Sequence, residues 1–275
     1  GLWAWLFFFA AQAWLLKRSS SCASLSGCRM CGRAHAIWLF LSMLVSAAVL
    51  TCTGRAYTMF WGLSESWTSL AGILPALAFV SISSVIAAKK ETWPSDRRMV
   101  MLFWLPLTLV LSTSVWFLGT LFASGDPAPL PQYIPLLNPL ELEQAFCIAA
   151  VAFWQIYAQR AGGVPSLNRK ALFTIMDVMV FLWLTAMLAR ATHFFMGIPM
   201  SEIPQSGHFH LALLVLWGLY GIGHMAAGNR LLLRRVWVAG AVLMLIDIGK
   251  LLLVDLAQTG TITRIISFFV AGLLL

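Results

Sequence analysis

Charged residues inside long apolar runs are the first features of this sequence that could do chemistry. Asp247, Lys250 and Asp255 interrupt the apolar run 236–256. A charge inside a bilayer costs about 2.5–3.5 kcal/mol on insertion scales, so each such residue needs a partner or a function. Asp247 and Lys250 are three residues apart, which places them on one face of a helix where they can pair. Arg264 lies across a short turn and can reach Asp255.

Further titratable residues lie in the two preceding apolar runs. Arg190 and His193 fall near the end of the run 171–196, and His208 and His210 begin the next run. Their depths match those of the charges above, so we predict one polar cluster in the outer half of the bundle, with Glu141, Glu143 or Glu202 as acids in reach of Arg190. The predicted cluster consists of Arg190, His193, His208, Asp247, Lys250, Asp255 and Arg264. Two interpretations remain open: a binding or proton-handling site with coupled pKa values, or ion pairs that fix the register of the helices.

The histidine and cysteine spacings do not favour a metal site. His208 and His210 are two residues apart and point in different directions on a helix, whereas zinc needs three or four convergent ligands. A Cys-x5-Cys-x2-Cys-x3-His motif begins at Cys22, but it lies in a stretch rich in Ser and Gly. A flexible loop with incidental thiols is the simpler interpretation. We therefore expect no metal and no other cofactor.

Long apolar helices must hold these residues. Of the 275 residues, 60% are hydrophobic and 10% are charged, whereas soluble domains have roughly 25% charged residues. Runs of about 20 apolar residues cross a bilayer as helices, because lipid offers the backbone no hydrogen-bond partner. We predict an all-α, polytopic transmembrane helix bundle with about nine spans, near 2–16, 36–53, 68–88, 99–122, 141–159, 171–196, 208–228, 236–256 and 264–275.

Basic residues mark every second loop between these spans. These loops hold 14 of the 18 Lys and Arg residues, whereas the opposite loops hold only Arg55 and Arg264. The positive-inside rule places the basic loops in the cytoplasm. This fragment then begins on the periplasmic side and ends on the cytoplasmic side. The same pattern accounts for the net charge of +8, so no nucleic-acid partner is expected.

The loop 123–140 differs from the others in composition. It has five prolines, which exclude a regular helix, and many apolar residues. We expect it to pack back onto the bundle on the periplasmic side. Its last residues predict a helix start, with Asn138 as the N-cap, Pro139 at the first helical position and Glu141 where a capping box has an acid.

Two stretches of the chain resemble a known family. One is the loop segment Gly-Asp-Pro-Ala-Pro-Leu-Pro at 125–131 with Tyr-Ile-Pro-Leu-Leu-Asn-Pro-Leu at 133–140; the other is the end of the chain, with Trp-Val-Ala-Gly at 237–240, Lys-Leu-Leu-Leu-Val-Asp-Leu at 250–256 and Arg-Ile-Ile-Ser-Phe at 264–268. They are similar to large bacterial membrane proteins catalogued as domain of unknown function 2339. The resemblance implies a multi-pass protein of the bacterial inner membrane, and it implies no reaction. We expect residues 1–275 to form one transmembrane domain, the C-terminal part of a longer chain.

Three functions are compatible with this sequence. The first is a scaffold or subunit of an envelope membrane assembly, in which the buried charges serve only the fold. The second is a transporter or flippase-like protein for an envelope component. The third is a membrane enzyme that acts on a lipid-linked or periplasmic substrate. The expected partners are the lipid bilayer, other membrane proteins and upstream helices of the same chain.

Overall fold

The computed structural model describes residues 29–88 and 99–252, together with residues 7, 10–12, 14, 15, 17, 18, 269 and 272. The backbone alone is described for residues 29–32 and 88. Most of the predicted first and ninth spans, 2–16 and 264–275, therefore lie outside the described residues.

The regular elements in the described part of the chain are helices. They are α1 (Arg29–Phe60), α2 (Glu65–Ala88), α3 (Leu105–Thr120), α4 (Pro139–Ala161), α5 (Arg169–Met196), α6 (Gly207–Arg230) and α7 (Arg234–Lys250). A π-helical turn, Val100–Trp104, leads into α3, and a 3-10 turn, Ile203–Gln205, precedes α6. Five segments are long and apolar enough to cross a membrane, namely Arg33–Phe60, Glu65–Ala87, Val100–Thr120, Arg169–Met196 and Gly207–Arg230. The prediction of an all-helical, multi-pass membrane protein is confirmed, whereas nine spans and the orientation of the termini stay predictions.

α4 coincides with the predicted span 141–159 but is more polar than the five apolar segments. Its Glu141, Glu143 and Gln144 are each 0% exposed. The helix packs on α2 and α3, so these polar groups face protein and not lipid. The predicted start is confirmed: the Asn138 side chain accepts a hydrogen bond from the N–H of Leu140 at 3.0 Å, and proline occupies the first helical position.

The chain divides into two compact units, Gly1–Trp183 and Leu184–Leu275. Unit 1 contains α1 to α4 and the first half of α5, and unit 2 contains the second half of α5 with α6 and α7. The prediction of a single domain stays a prediction. Unit 1 has an apolar core, whose buried members include Ile73, Leu77, Leu105, Phe117, Cys147 and Trp154.

Prolines inside two helices of unit 1 determine where neighbouring helices meet. A proline has no N–H for the carbonyl four residues earlier. For Pro106 this is the carbonyl of Leu102, and the indole Nε1 of Trp154 on α4 donates to it at 2.6 Å. For Pro75 it is the carbonyl of Ala71, which lies so close to α1 that a Cβ on Gly54 would come within 2.8 Å of it.

Glycines bring α6 and α7 together in unit 2. A Cβ on Gly240 would lie 2.5 Å from the carbonyl oxygen of Gly221, and a Cβ on Gly228 would lie 2.4 Å from the backbone nitrogen of Trp237. Small residues at such contacts let two membrane helices approach backbone to backbone. The close contact of α6 and α7 therefore depends on Gly221, Gly228 and Gly240, because a larger residue at these positions would push the two helices apart.

Candidate functional site

The predicted polar cluster falls in unit 2. Asp255 and Arg264 lie outside the described residues. Arg190 on α5 is 0% exposed and Asp247 on α7 is 3% exposed, and both side chains have interaction partners. Asp247 is two turns from Gly240 and therefore on the face of α7 that meets α6. Lys250 is half-buried, and whether these residues form one site stays a prediction.

Two histidines of unit 2, His193 and His210, contact the loop between α5 and α6. His193 Nδ1 lies 2.6 Å from the carbonyl oxygen of Ile198, and His210 Nε2 lies 2.9 Å from that of Pro204. A carbonyl only accepts, so in both rings the nitrogen that faces it carries the hydrogen. His208, which the sequence favoured, is exposed. The buried partner of the loop is His210, which the predicted cluster omitted.

Metal-binding groups do not converge in the described part of the chain. No three His, Cys, Asp or Glu side chains among these residues are arranged to hold a metal ion. The described thiols of Cys52 and Cys147 are on different helices, the first exposed and the second buried. Of the motif that begins at Cys22, the three cysteines lie outside the described side chains, whereas His35 is buried on α1.

A second polar cluster lies in unit 1, near the end that carries the proline-rich loop. It takes one side chain from each of α1, α2, α3 and α4, and each of these is about one turn from the loop end of its helix. We call this set the four-helix cluster. Its members are Arg55, Ser69, Trp116 and Glu143.

The contacts of the four-helix cluster form a chain from a buried acid to a half-buried cation. Ser69 Oγ donates to Glu143 Oε2 at 2.6 Å, and Trp116 Nε1 donates to Ser69 Oγ at 3.0 Å. The guanidinium of Arg55 lies over the Trp116 ring, 5.4 Å from its centroid, which is a cation–π contact. The hydrogen bond to Ser69 fixes the orientation of the indole, and the indole presents its face to Arg55.

Glu141 holds the proline-rich loop on the bundle. It accepts hydrogen bonds from the Tyr133 hydroxyl and from the backbone N–H of Leu136. Asn138 Nδ2 donates to the carbonyl of Gly125 at 2.7 Å. Tyr133 and Asn138 are both buried. The apolar side chains of Leu130, Ile134, Leu136 and Leu137 are exposed, so polar bonds and not apolar packing tie this loop to the start of α4. That the loop packs back onto the bundle stays a prediction.

Exposed aromatic side chains mark two levels along unit 1. Trp and Tyr favour the interface between membrane and water. A helix rises about 1.5 Å per residue, so the exposed Trp38 and Phe60 are separated by about 33 Å along α1, close to the thickness of a hydrocarbon core. The four-helix cluster lies just inside the level at the loop end. That level is marked by Tyr57, Phe60, Trp61 and Phe122.

A lipid-facing groove lies between α2 and α4 near the middle of both helices. Its volume is about 300 Å³ and its lining is mostly apolar. The hydroxyl of Ser81 donates to the carbonyl of Leu77 in its own helix at 2.9 Å. The groove is lined on one side by Leu77, Ala78 and Ser81 and on the other by Phe146, Ala149 and Phe153.

Comparison with known sequences identifies the family. The sequence profile of a family described as predicted membrane protein (DUF2339) matches residues 1–275. The chain belongs to this family. The resemblance noted in the sequence is thereby confirmed. No curated protein and no solved structure matches the chain.

The four-helix cluster was missed because the sequence gives no sign of which helices are neighbours. Two features could have pointed to it. Glu141 and Glu143 are acids within a predicted span, and Arg55 is one of few basic residues on the predicted outer side. Ser69 and Trp116 are unremarkable residues until the fold places them between Glu143 and Arg55.

Proposed function

We propose that this protein is a structural subunit, or scaffold, of a membrane assembly in the bacterial cell envelope, located in the inner membrane. The supporting observation is that the buried acids of α4 are bonded to the protein itself. Ser69 donates to Glu143, and Tyr133 and Leu136 donate to Glu141. Such bonds stabilise one arrangement of helices and loop, whereas a transport site has to exchange its partners during a cycle.

A scaffold acts by binding other subunits, so the binding site has to lie on the surface that faces the lipid. The groove between α2 and α4 is the concave part of that surface, and small residues such as Ala78 and Ala149 let another helix approach closely. The hydroxyl of Ser81 is bonded within its own helix, so the groove suits an apolar partner. We place a transmembrane helix of a partner subunit there.

Neutralising the buried charges tests this proposal against transport and catalysis. In cells that lack their own copy of this protein, we expect Glu143→Gln to restore normal growth and a normal cell envelope as fully as wild type does. The side-chain oxygen of Gln can still accept the hydrogen bond from Ser69. The double variant Asp247→Asn, Lys250→Met should restore it as well. The amount of protein in the membrane is measured alongside, so that failure to insert is recognised. A transporter, a flippase-like protein or an enzyme that uses these charges would lose activity at normal abundance.

Filling the groove is the complementary test. The double variant Ala78→Phe, Ala149→Phe should accumulate normally and fail to restore the envelope, because a partner helix no longer fits. Val115→Phe is the matched control, since Val115 is 72% exposed on the lipid-facing side of α3. If the filled groove restores the envelope while Glu143→Gln does not, the scaffold proposal is wrong and a transport or catalytic site takes its place.

A further inference from the structure

Arg55 is the cation of the four-helix cluster, and within that cluster its guanidinium lies against an aromatic face. In the described part of the chain, the guanidinium has the face of Trp116 next to it and no carboxylate within ion-pair distance. A guanidinium stays charged and carries five N–H donors in a planar fork that matches a phosphate group. An aromatic face satisfies its charge in part and none of these donors.

The position of Arg55 places these donors where phosphate groups lie. Arg55 is about one turn inside the exposed aromatic residues Tyr57, Phe60 and Trp61, and such aromatic residues lie at the level of the lipid headgroups. The predicted topology leaves few basic residues on this side of the membrane. A cation retained here, against the usual charge asymmetry, points to an anionic ligand.

The surroundings of Arg55 hold the side chain in place. Its aliphatic part lies against Gly72 on α2, where an added Cβ would be 3.0 Å from Cγ and 3.1 Å from Cδ. Its guanidinium rests on an indole whose N–H is bonded to Ser69. Glu143 is fully buried, and Ser69 and Trp116 lie in the chain of contacts between its carboxylate and Arg55.

We propose that Arg55, stacked on Trp116, binds the phosphate group of an anionic ligand at the loop end of unit 1. The phosphate could belong to the headgroup of an anionic phospholipid or be free in solution, and the chemistry of recognition is the same. This site goes beyond the scaffold function and does not depend on it.

Native mass spectrometry of the protein in nanodiscs tests the site. One sample contains phosphatidylcholine with phosphatidylglycerol, and another contains phosphatidylcholine alone with inorganic phosphate added. We expect wild type to retain bound phosphatidylglycerol in the first sample or inorganic phosphate in the second, and Arg55→Gln to retain that ligand at least tenfold less often. Gly72→Ala keeps the charge but displaces the side chain, and should lower retention severalfold. Arg230→Gln is the control and should leave retention unchanged. Arg230 is exposed and is the last residue of α6, at the end of that helix away from the α5–α6 loop.

The two samples separate the sources of the phosphate. Arg55-dependent retention of phosphatidylglycerol in the first sample, without Arg55-dependent binding of inorganic phosphate in the second, identifies a lipid headgroup. Arg55-dependent binding of inorganic phosphate in phosphatidylcholine alone identifies a free anion. If Arg55→Gln and Gly72→Ala both retain phosphatidylglycerol and phosphate as wild type does, or if Arg230→Gln lowers retention equally, the proposal is wrong. Gly72→Ala decides the question alone if Arg55→Gln does not fold, because alanine is a good helix former.

Discussion

Trp154 and Pro106 lie on different helices and meet at one backbone carbonyl. Leu102 is fully buried, and Pro106 offers it no N–H. The indole of Trp154 donates in its place at 2.6 Å. A buried carbonyl left without a donor costs about 1–3 kcal/mol, so this bond matters more than its small net strength would suggest. At the scale of the residue, a proline in one helix creates the need for a tryptophan in another.

We predict that Trp154→Phe lowers the free energy of unfolding by about 1–3 kcal/mol, because the N–H donor is lost while an aromatic side chain, smaller than the indole, is kept. Pro106→Ala restores an N–H that can bond to Leu102, so the same tryptophan substitution should be milder in that background. A double-mutant cycle, with denaturant unfolding of the purified protein in detergent, measures the coupling. An equal cost of Trp154→Phe in both backgrounds contradicts this account.

Sequence patterns predicted the residue types at such sites but not the pairs. Charges within apolar runs singled out Asp247 and Arg190, and both side chains are buried, whereas their role stays a prediction. The bond between Ser69 and Glu143 joins residues 74 positions apart. The packing of helices determines such contacts, and no local spacing encodes them.

At the scale of the element, local chemistry predicted helix starts better than apolar runs predicted helix lengths. Asn138 caps α4 as expected, because a cap depends on a few adjacent residues. α1 extends well beyond the predicted span 36–53, from Arg29 to Phe60. A helix continues while its backbone bonds are satisfied, so polar residues beyond an apolar run do not end it.

The hairpin of α6 and α7 supplies the second prediction. Gly240→Leu places a side chain where a Cβ alone would be 2.5 Å from the carbonyl of Gly221, so the two helices have to separate. Overpacking of this kind costs about 1–3 kcal/mol and occasionally more. Thermal unfolding in detergent should show a clear loss of stability. Gly223→Leu on α6 is the control, since an added Cβ there has nothing within 4 Å.

Equal stability losses in Gly240→Leu and Gly223→Leu would contradict the close contact of α6 and α7. Glycine is a poor helix former, and leucine is a good one. The control therefore should be as stable as wild type or slightly more so. The difference between the two variants isolates the contact between the helices from the change in helix propensity.

At the scale of the whole molecule, two patterns predict where the helices leave the membrane and meet water. Basic residues occupy alternate loops, and exposed aromatic residues lie at both ends of α1. The basic residues predict that the α1–α2 loop and the α3–α4 loop share a side, and these loops meet in unit 1, where Ser64 Oγ donates to the carbonyl of Asp126 at 2.9 Å. The element that needs a test is α4, which is not among the five segments that are long and apolar enough to cross a membrane, because it carries Glu141, Glu143 and Gln144. These three side chains are buried within unit 1.

Reporter fusions test the topology at α4. We predict that alkaline phosphatase is active when fused after Ser124 and inactive when fused after Gly163, and that green fluorescent protein gives the opposite result, because α4 crosses the membrane between these loops. Fusions after Gly62 and Leu232 serve as references for the predicted periplasmic and cytoplasmic sides. The same reporter result at residues 124 and 163 would mean that α4 does not span. A complete exchange of sides would leave the bundle intact and show that the basic loops do not orient it.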